Sequence, residues 1–418
     1  MSKIRIKNFG PIKEGYQKND GWMDVKKVTV FIGNQGSGKS TVAKLISTFT
    51  WIEKALVRGD YDIKWFSRPN KLKNQYLPYH RLENFLGEYE GGLFDKTEIE
   101  YIGDAYYIKY NKGTLLIEDL KNGHYPLPQI IYVPAERNFI SYVKSPKELR
   151  LSSDSLKDFL AEFDKAKNTM KGLMSLPINN VDIEYNKSND ILSVKGKDYK
   201  INIDEASSGF QSLVPLYLVS RFLSNSVKKQ TEITQEQMSS EERERFKKGV
   251  AEIWSNDNLT DEQRRIALSV LSSKFNKTAF INIVEEPEQN LFPTSQQKIL
   301  NSLLSFNNIN KDNKLIMTTH SPYLINYLTL AVEGYKISGK LHFSIKLNKL
   351  ERRLNEIVPL QSLINPDDLI IYELNESDGS IKLLVNYNDL PNDENKLNNE
   401  LAEGNELFAK LLEIQQEL

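Results

Sequence analysis

A mixed α/β fold with an antiparallel β lobe and a helical lobe is what this sequence predicts, and three observations carry the prediction. Short runs rich in β-branched residues end in polar turns. Stretches of helical period lie between them, and one run breaks directly into a glycine-rich loop that leads into a helix.

Ile4 and Ile6 alternate with Lys3, Arg5 and Lys7, the period of a half-buried strand. Phe9-Gly10-Pro11 turns this run towards a second one, so a two-strand entry to the glycine loop is expected. The second run carries Val28, Val30 and Ile32. Directly after it, Gly33, Gly36, Gly38, Lys39 and Ser40 fill the pattern G-x-x-x-x-G-K-[ST]. Glycines lack the Cβ atoms that would stop backbone N–H groups from closing on phosphate. Lys39 is placed to reach β and γ oxygens, and Ser40 to offer its hydroxyl to magnesium. The helix continuing through Thr41 to Ile46 turns its positive end towards the same anion. The candidate nucleotide contacts are Asn34, Gly36, Ser37, Gly38, Lys39, Ser40 and Thr41. A Gly-Ser surface turn can match the bare pattern by accident, but such a turn needs neither the strand before it nor the helix after it.

Residues 60 to 95 show little periodicity and read as an irregular lobe, whereas Thr97 to Leu120 alternates in three short runs, an antiparallel meander. Gln129 to Val133 is a further strand, ending at the polar cluster Pro134-Ala-Glu-Arg137. Open α/β sheets place ligands at such strand ends. Ser155 to Asp158 offers a cap for a short helix with Leu156, Phe159, Leu160 and Phe163 on one face. Val181 to Tyr185, Ile191 to Val194 and Tyr199 to Ile203 read as β runs, and Leu213 to Leu223 as a buried helix.

Residues 228–275 are charge-dense and look inserted. Ser239-x-x-Glu242 and Thr260-x-x-Gln263 would cap two amphipathic helices there, with Phe246, Val250, Ile253 and Trp254 on one and Ile266, Val270 and Leu271 on the other. Thr278 to Val284 and Lys314 to Thr319 are strands that run into chemistry. Residues 1–345 are expected to form the main domain. Residues 346–418 would be an α/β extension packed on it, with strands at Asp367 to Tyr372 and Ile381 to Val385 and a helix at Leu407 to Leu412.

Composition removes several classes of function. The chain has 418 residues and a net charge of -1, so no global basic field draws it onto nucleic acid, and any DNA contact must be a local patch. It has no cysteine and four scattered histidines, which gives zinc sites, disulfides and thiol chemistry no support. Neither an export-signal core nor a membrane-length apolar run is present, so a cytoplasmic protein is expected.

Two adjacent carboxylates, Glu285 and Glu286, close the strand before Pro287-Glu288. One could hold magnesium through water while the other orients and deprotonates an attacking water, the division of labour that phosphoryl transfer requires. Taken alone the cluster reads equally well as a solvated acidic turn. His320 closes the next strand, where a neutral imidazole could bond a γ-phosphate or the attacking water. Ser207-Ser208-Gly209 precedes a helix, and by itself carries almost no information.

In order, GNQGSGKST, ASSGFQSLVPL, FINIVEEPEQNLFP and IMTTHSPYLIN resemble the Walker A, signature, Walker B and switch segments of ATPase heads of the ABC superfamily. The branch they resemble contains SMC proteins, RecF and the OLD-like ATPases, and the resemblance covers about residues 3 to 330. KIRIKNFGPI and IIYVPAERN look like further pieces of the same branch. The resemblance implies an ABC-type P-loop head that binds ATP and Mg2+, with Ser40 and Glu285 on the metal, Glu286 as general base and His320 sensing the γ-phosphate. It also implies that Ser207 and Gly209 close on the nucleotide of a second protomer, making ATP the link in a homodimer or higher homo-oligomer. Three departures stand out. Glu285 replaces the usual aspartate, Ser208 replaces a signature glycine, and no clear Q-loop glutamine is present, Gln129 and Glu136 being the candidates.

The function expected from this resemblance is an ATP-hydrolysing dimerisation switch in bacterial anti-phage defence or DNA maintenance. It would work with a separate effector such as a nuclease, and with no membrane partner. A low-turnover, ATP-clamped scaffold is the alternative.

Overall fold

The structure is a computed structural model that describes the whole chain except residues 1, 87–95, 123–124, 143–150, 152, 230–239, 257–258, 261–262, 265–266, 269, 272–276, 342–345 and 418. Labels below follow chain order. The opening run is β1 (Ser2–Lys7), with alternate side chains buried as its sequence requires. Its partners are not those expected. β1 lies between β3 (Met23–Val25) and β5 (Glu98–Ile102), and β6 (Tyr106–Asn111) and β7 (Thr114–Asp119) complete a five-stranded antiparallel sheet of order β3-β1-β5-β6-β7.

The phosphate-loop strand β4 (Val28–Gly33) belongs to a different sheet, so the two-strand entry is corrected. The reason is legible in the side chains. A strand alternating lysine with isoleucine can cover a core on one face only, whereas β4 is buried along its whole length and needs cover on both.

That second sheet has seven strands in the order β2-β16-β15-β4-β14-β13-β8. Its members are β2 (Gly15–Tyr16), β8 (Pro128–Val133), β13 (Ala279–Glu285), β14 (Lys314–Thr319), β15 (Leu369–Leu374) and β16 (Ser380–Leu383), with β4 at the centre. β15, β4, β14, β13 and β8 run parallel. Val28, Val30 and Ile32 face one hydrophobic core, and Phe31 faces the other.

Helix α1 (Lys39–Arg58) fills the second core with Val42, Leu45, Ile46, Phe49 and Ile52, the spacing of one helical face. It stops at Gly59, whose φ of 70° suits glycine and whose N–H closes on Ala55 and Leu56 carbonyls. A short turn, α2 (Ile63–Phe66), follows in the irregular lobe.

On the opposite face lie α3 (Asp154–Thr169), α4 (Ser208–Lys229), α6 (Pro293–Asn308) and α7 (Pro322–Leu341), with α5 (Ser240–Trp254) between α4 and α6 in the chain. α3 is capped by Ser153, whose Oγ accepts from Leu156 N, and not by Ser155, which is buried in the first turn. The helix is 16 residues long, not short, because its buried face continues to Ala166. β9 (Met174–Ser175), β10 (Asp182–Asn186), β11 (Ile191–Lys195) and β12 (Lys200–Asn202) form a separate four-stranded antiparallel sheet.

In the charge-dense segment the Thr260 capping box is present. Gln263 Oε1 accepts from Thr260 N at 2.9 Å, and Thr260 Oγ1 accepts from Gln263 N at 3.3 Å. The expected cap at Ser239 and the expected apolar position Ile266 lie outside the described residues. α5 reaches the body through Arg245, which bonds Asp60 at 2.7 Å, and leaves Trp254 57% exposed. Beyond α8 (Leu347–Ile357) the chain returns to the main sheet as β15, the direct parallel neighbour of β4, and ends in α9 (Lys396–Glu417).

His80 is buried with neither ring nitrogen hydrogen-bonded, and burial holds its pKa down to about 3. The folded state therefore keeps this imidazole neutral at pH values where the unfolded chain protonates it. Its depressed pKa makes stability fall as pH drops from 6.5 towards 3. Between pH 7.5 and 5 the expected loss is about 2 kcal/mol. Urea unfolding of His80→Phe should show that much less pH dependence than wild type, and an unchanged slope would contradict the assignment.

Candidate functional site

Because five adjacent strands, β15, β4, β14, β13 and β8, are parallel, their C-terminal ends share one edge of the sheet, the edge where open α/β folds collect ligands. β4 delivers Gly33, β13 delivers Glu285 and Glu286, β14 delivers His320, and β8 delivers Pro134 to Arg137.

The glycine loop between β4 and α1 is shaped by Gly33, Gly36 and Gly38 at φ 141°, 75° and 99°. A Cβ on Gly33 would lie 2.3 Å from Leu374 O, so a side chain there would collide with β15. Above Gly36 nothing lies within 4 Å, which leaves the loop open to a ligand. Gly38 caps α1 without a side-chain bond, and Ser37 Oγ is buried without a partner. Buried donors of this kind need an acceptor, and a phosphate at the positive end of a helix provides one.

Lys39 folds back on the loop, its Nζ donating to Gly33 O at 2.9 Å and Asn34 O at 2.7 Å. Burial lowers its pKa to about 8, against the pull of Glu286, Glu288 and Glu376. Asn34 is held from outside the loop, its Nδ2 donating to Glu376 Oε1 at 3.2 Å, while Lys396 pairs with the same carboxylate.

Glu285 is almost fully buried. Its Oε2 accepts from Ala135 N at 3.1 Å and its Oε1 lies 3.8 Å from Lys44 Nζ. Lys44 follows Ser40 by one helical turn, so the face of α1 that bears Ser40 turns towards this carboxylate. One hydroxyl and one carboxylate fit Mg2+, which keeps several waters and takes its other ligands from phosphate. Among the described residues no group of three or more histidine, aspartate or glutamate side chains could hold a metal unaided.

Glu286 has φ 44°, a left-handed conformation that costs a non-glycine residue about 1–2 kcal/mol. Its surroundings impose it. Glu286 N donates to Thr318 O at 2.9 Å, while its carbonyl accepts from Gln289 N at 3.0 Å and from Arg137 Nη2 at 2.6 Å. The side chain lies 3.6 Å from His320 Nε2, and burial together with Glu285 pushes its pKa up. Burial and Lys39 push the His320 pKa down, so the imidazole is neutral at pH 7. A raised carboxylate beside a neutral imidazole and a buried lysine can accept a proton from water and stabilise negative charge nearby.

Two residues given no role by the sequence motifs hold this geometry. Arg137 is fully buried and donates to four carbonyls, from Nη1 to Pro134 (3.2 Å) and Glu285 (2.7 Å), from Nη2 to Glu286, and from Nε to Ser212 (3.1 Å) on α4. Glu288 Oε1 accepts from Thr319 Oγ1 and from His320 N, both at 2.8 Å, fixing the histidine's backbone. The available signal was an arginine and a third glutamate next to the motif positions, too common a pattern to read without the fold.

The structure thus gathers Asn34 to Thr41, Glu285, Glu286 and His320 on one edge. Ser207 and Gly209 stand at the start of α4, where a Cβ on Gly209 would meet Asn290 O at 2.9 Å, and Ser212 Oγ accepts from Asn290 Nδ2 at 3.1 Å. Gly209 therefore packs against the turn that follows β13.

A glycine loop between a central parallel strand and a helix, with acids and a histidine on the neighbouring strand ends, defines the class of P-loop nucleoside triphosphatases. Within it, residues 1–325 match the AAA ATPase domain family, and the chain belongs to that family. No curated protein matches it. Among solved structures the chain is similar to an SMC head bound to the C-terminal winged-helix domain of ScpA, with 11% identity, a TM-score of 0.37 and coverage of 91% of this chain and 95% of that one. It is also similar to the SMC head domain from Thermotoga maritima, with 9% identity, a TM-score of 0.33 and coverage of 92% and 98%. A dimeric ATP-binding cassette bound to ADP and Pi aligns with 12% identity, a TM-score of 0.26 and coverage of 93% and 100%. No helix among the described residues is long and apolar enough to cross a membrane.

Proposed function

We propose that this protein is an ATP-hydrolysing head of the ABC type, related to SMC and RecF proteins, that works in the cytoplasm as a nucleotide-driven dimerisation switch. The observation that carries the proposal is the convergence of Lys39, Glu286 and His320 on one sheet edge beside an open phosphate loop. The loop amides, with Ser37, Lys39 and Thr41, would hold the phosphates of ATP. Ser40 and Glu285 would hold Mg2+, which supplies charge neutralisation when bound. Glu286 accepts the proton of the attacking water, and His320 bonds the terminal phosphate.

The head comprises residues 1–345 with the insertion 228–275, and residues 346–418 extend it, β15 continuing its sheet. Ser207 and Gly209 close on the nucleotide of a second copy. Bacterial anti-phage defence or DNA maintenance with a separate effector, a nuclease being one candidate, is the setting that the motif order supports. DNA contact would require a local basic patch. Glu285 favours a second reading, a slow ATP-clamped scaffold, because its carboxylate is already engaged by Lys44 and Ala135 N.

Glu286→Gln with ATP should move the protein to a larger species on size exclusion, and adding Ser207→Arg should return it to the smaller one. An assembly that forms without ATP and ignores Ser207→Arg would overturn the shared site.

A further inference from the structure

One buried polar group at the phosphate-loop edge has no role among those proposed above. Thr318 is 1% exposed, and its Oγ1 has no hydrogen-bond partner, a state that costs stability until a ligand or a water completes it. The backbone of Thr318 is already engaged, its carbonyl accepting from Glu286 N at 2.9 Å. The hydroxyl is what needs an acceptor or a donor.

Strand register fixes where that hydroxyl stands. Thr318 of β14 is paired with Glu285 of β13 on one side and with Phe31 of β4 on the other. Residues paired in a sheet share a face, and residues two apart on a strand do so too. Phe31, Ile283 and Ile316 all belong to the core that α1 fills, so Thr318 and Glu285 lie side by side on the α1 face. From that face Lys44 approaches Glu285 Oε1 at 3.8 Å. Adjacent strands are about 4.8 Å apart, a gap that one water closes with two ordinary hydrogen bonds.

We infer that Thr318 is a further positioning residue of the magnesium site, its hydroxyl accepting a hydrogen bond from a metal-bound water that Glu285 also holds. The inference rests on the ATPase reading above and adds to it a residue that no motif singles out. Water bound to Mg2+ directs its oxygen at the ion and offers the protein only its protons, so the site must supply acceptors. The Glu285 carboxylate is already shared with Lys44 and Ala135 N. A hydroxyl beside it provides one more acceptor, and its own proton is free to turn to Glu285.

The test compares the full-length wild type with Thr318→Val, which keeps the side-chain shape and loses the hydroxyl, and with Thr318→Ser, which keeps the hydroxyl. Affinity for a fluorescent non-hydrolysable ATP analogue is measured in EDTA and again in Mg2+, and the gain from the metal is the readout. Thr318→Val should bind the analogue as wild type does in EDTA and lose about tenfold of the magnesium gain, whereas Thr318→Ser should keep it. Without metal or nucleotide, Thr318→Val should melt about 1 °C or more above wild type, because the unpaired hydroxyl is gone. A wild-type magnesium gain in Thr318→Val, an equal loss in both variants, or a lower melting temperature for metal-free Thr318→Val would each overturn the inference alone. Failure of wild type to bind the analogue, or to gain from Mg2+, would sink the ATPase reading and the inference with it, so the two failures are distinct.

Discussion

Lys39→Ala is expected to abolish ATP binding in an equilibrium titration, whereas Glu286→Gln should bind ATP as wild type does and lose turnover by about 10²–10⁴-fold. The separation follows from position. Lys39 is buried under the loop and its ammonium already spans two loop carbonyls, so a phosphate can take over its bonds without moving the backbone. Alanine removes that charge together with the loop's internal tie. Glu286 lies 37% exposed beside His320, and glutamine keeps its shape while losing the ability to accept a proton. Equal loss of nucleotide affinity in both variants, each shown to be folded by circular dichroism, would sink the division of roles.

Arg137→Met should cost about 3–5 kcal/mol in urea unfolding, because four carbonyls, from the C-terminal ends of β8 and β13 and from α4, lose a shared donor inside the protein. Glu286 would be affected most. Its left-handed backbone is held partly by Nη2 of Arg137, so turnover should fall about 10²-fold even under conditions where the variant is fully folded. Arg137→Lys keeps a charge, but a compact ammonium cannot bridge all three segments, so it should recover only part of the stability. A loss below about 1 kcal/mol in Arg137→Met would show that the carbonyls are satisfied without the guanidinium.

Local pattern and long-range pairing were not equally legible in the sequence. The glycine loop, β13, β14 and the meander could be read directly, since each rests on residue spacing within one short segment. The capping box at Thr260 was legible for the same reason. Strand partners were not, because β1 and β4 are close in sequence and yet their opposite burial patterns send them to different sheets. Ser153 and Ser155 are both competent caps, and only the buried face of α3 decides between them. The carboxylates and His320 were visible as strand-end residues. Arg137 was not, because its role depends on carbonyls drawn from three separate parts of the chain.

The position of β15 bears on how the molecule comes into being. β4 receives one parallel neighbour from residues 314–319 and the other only from residues 369–374. During synthesis the strand that carries the phosphate loop therefore keeps an open edge until residues 369–374 have left the ribosome, and open edges are where strands pair with the wrong partner. Gly33 is packed against Leu374 O, so the loop's own starting residue waits for a segment far along the chain to find this contact. The surroundings of the phosphate loop in a nascent chain are therefore finished only when residues 369–374, some 340 positions further on, reach β4.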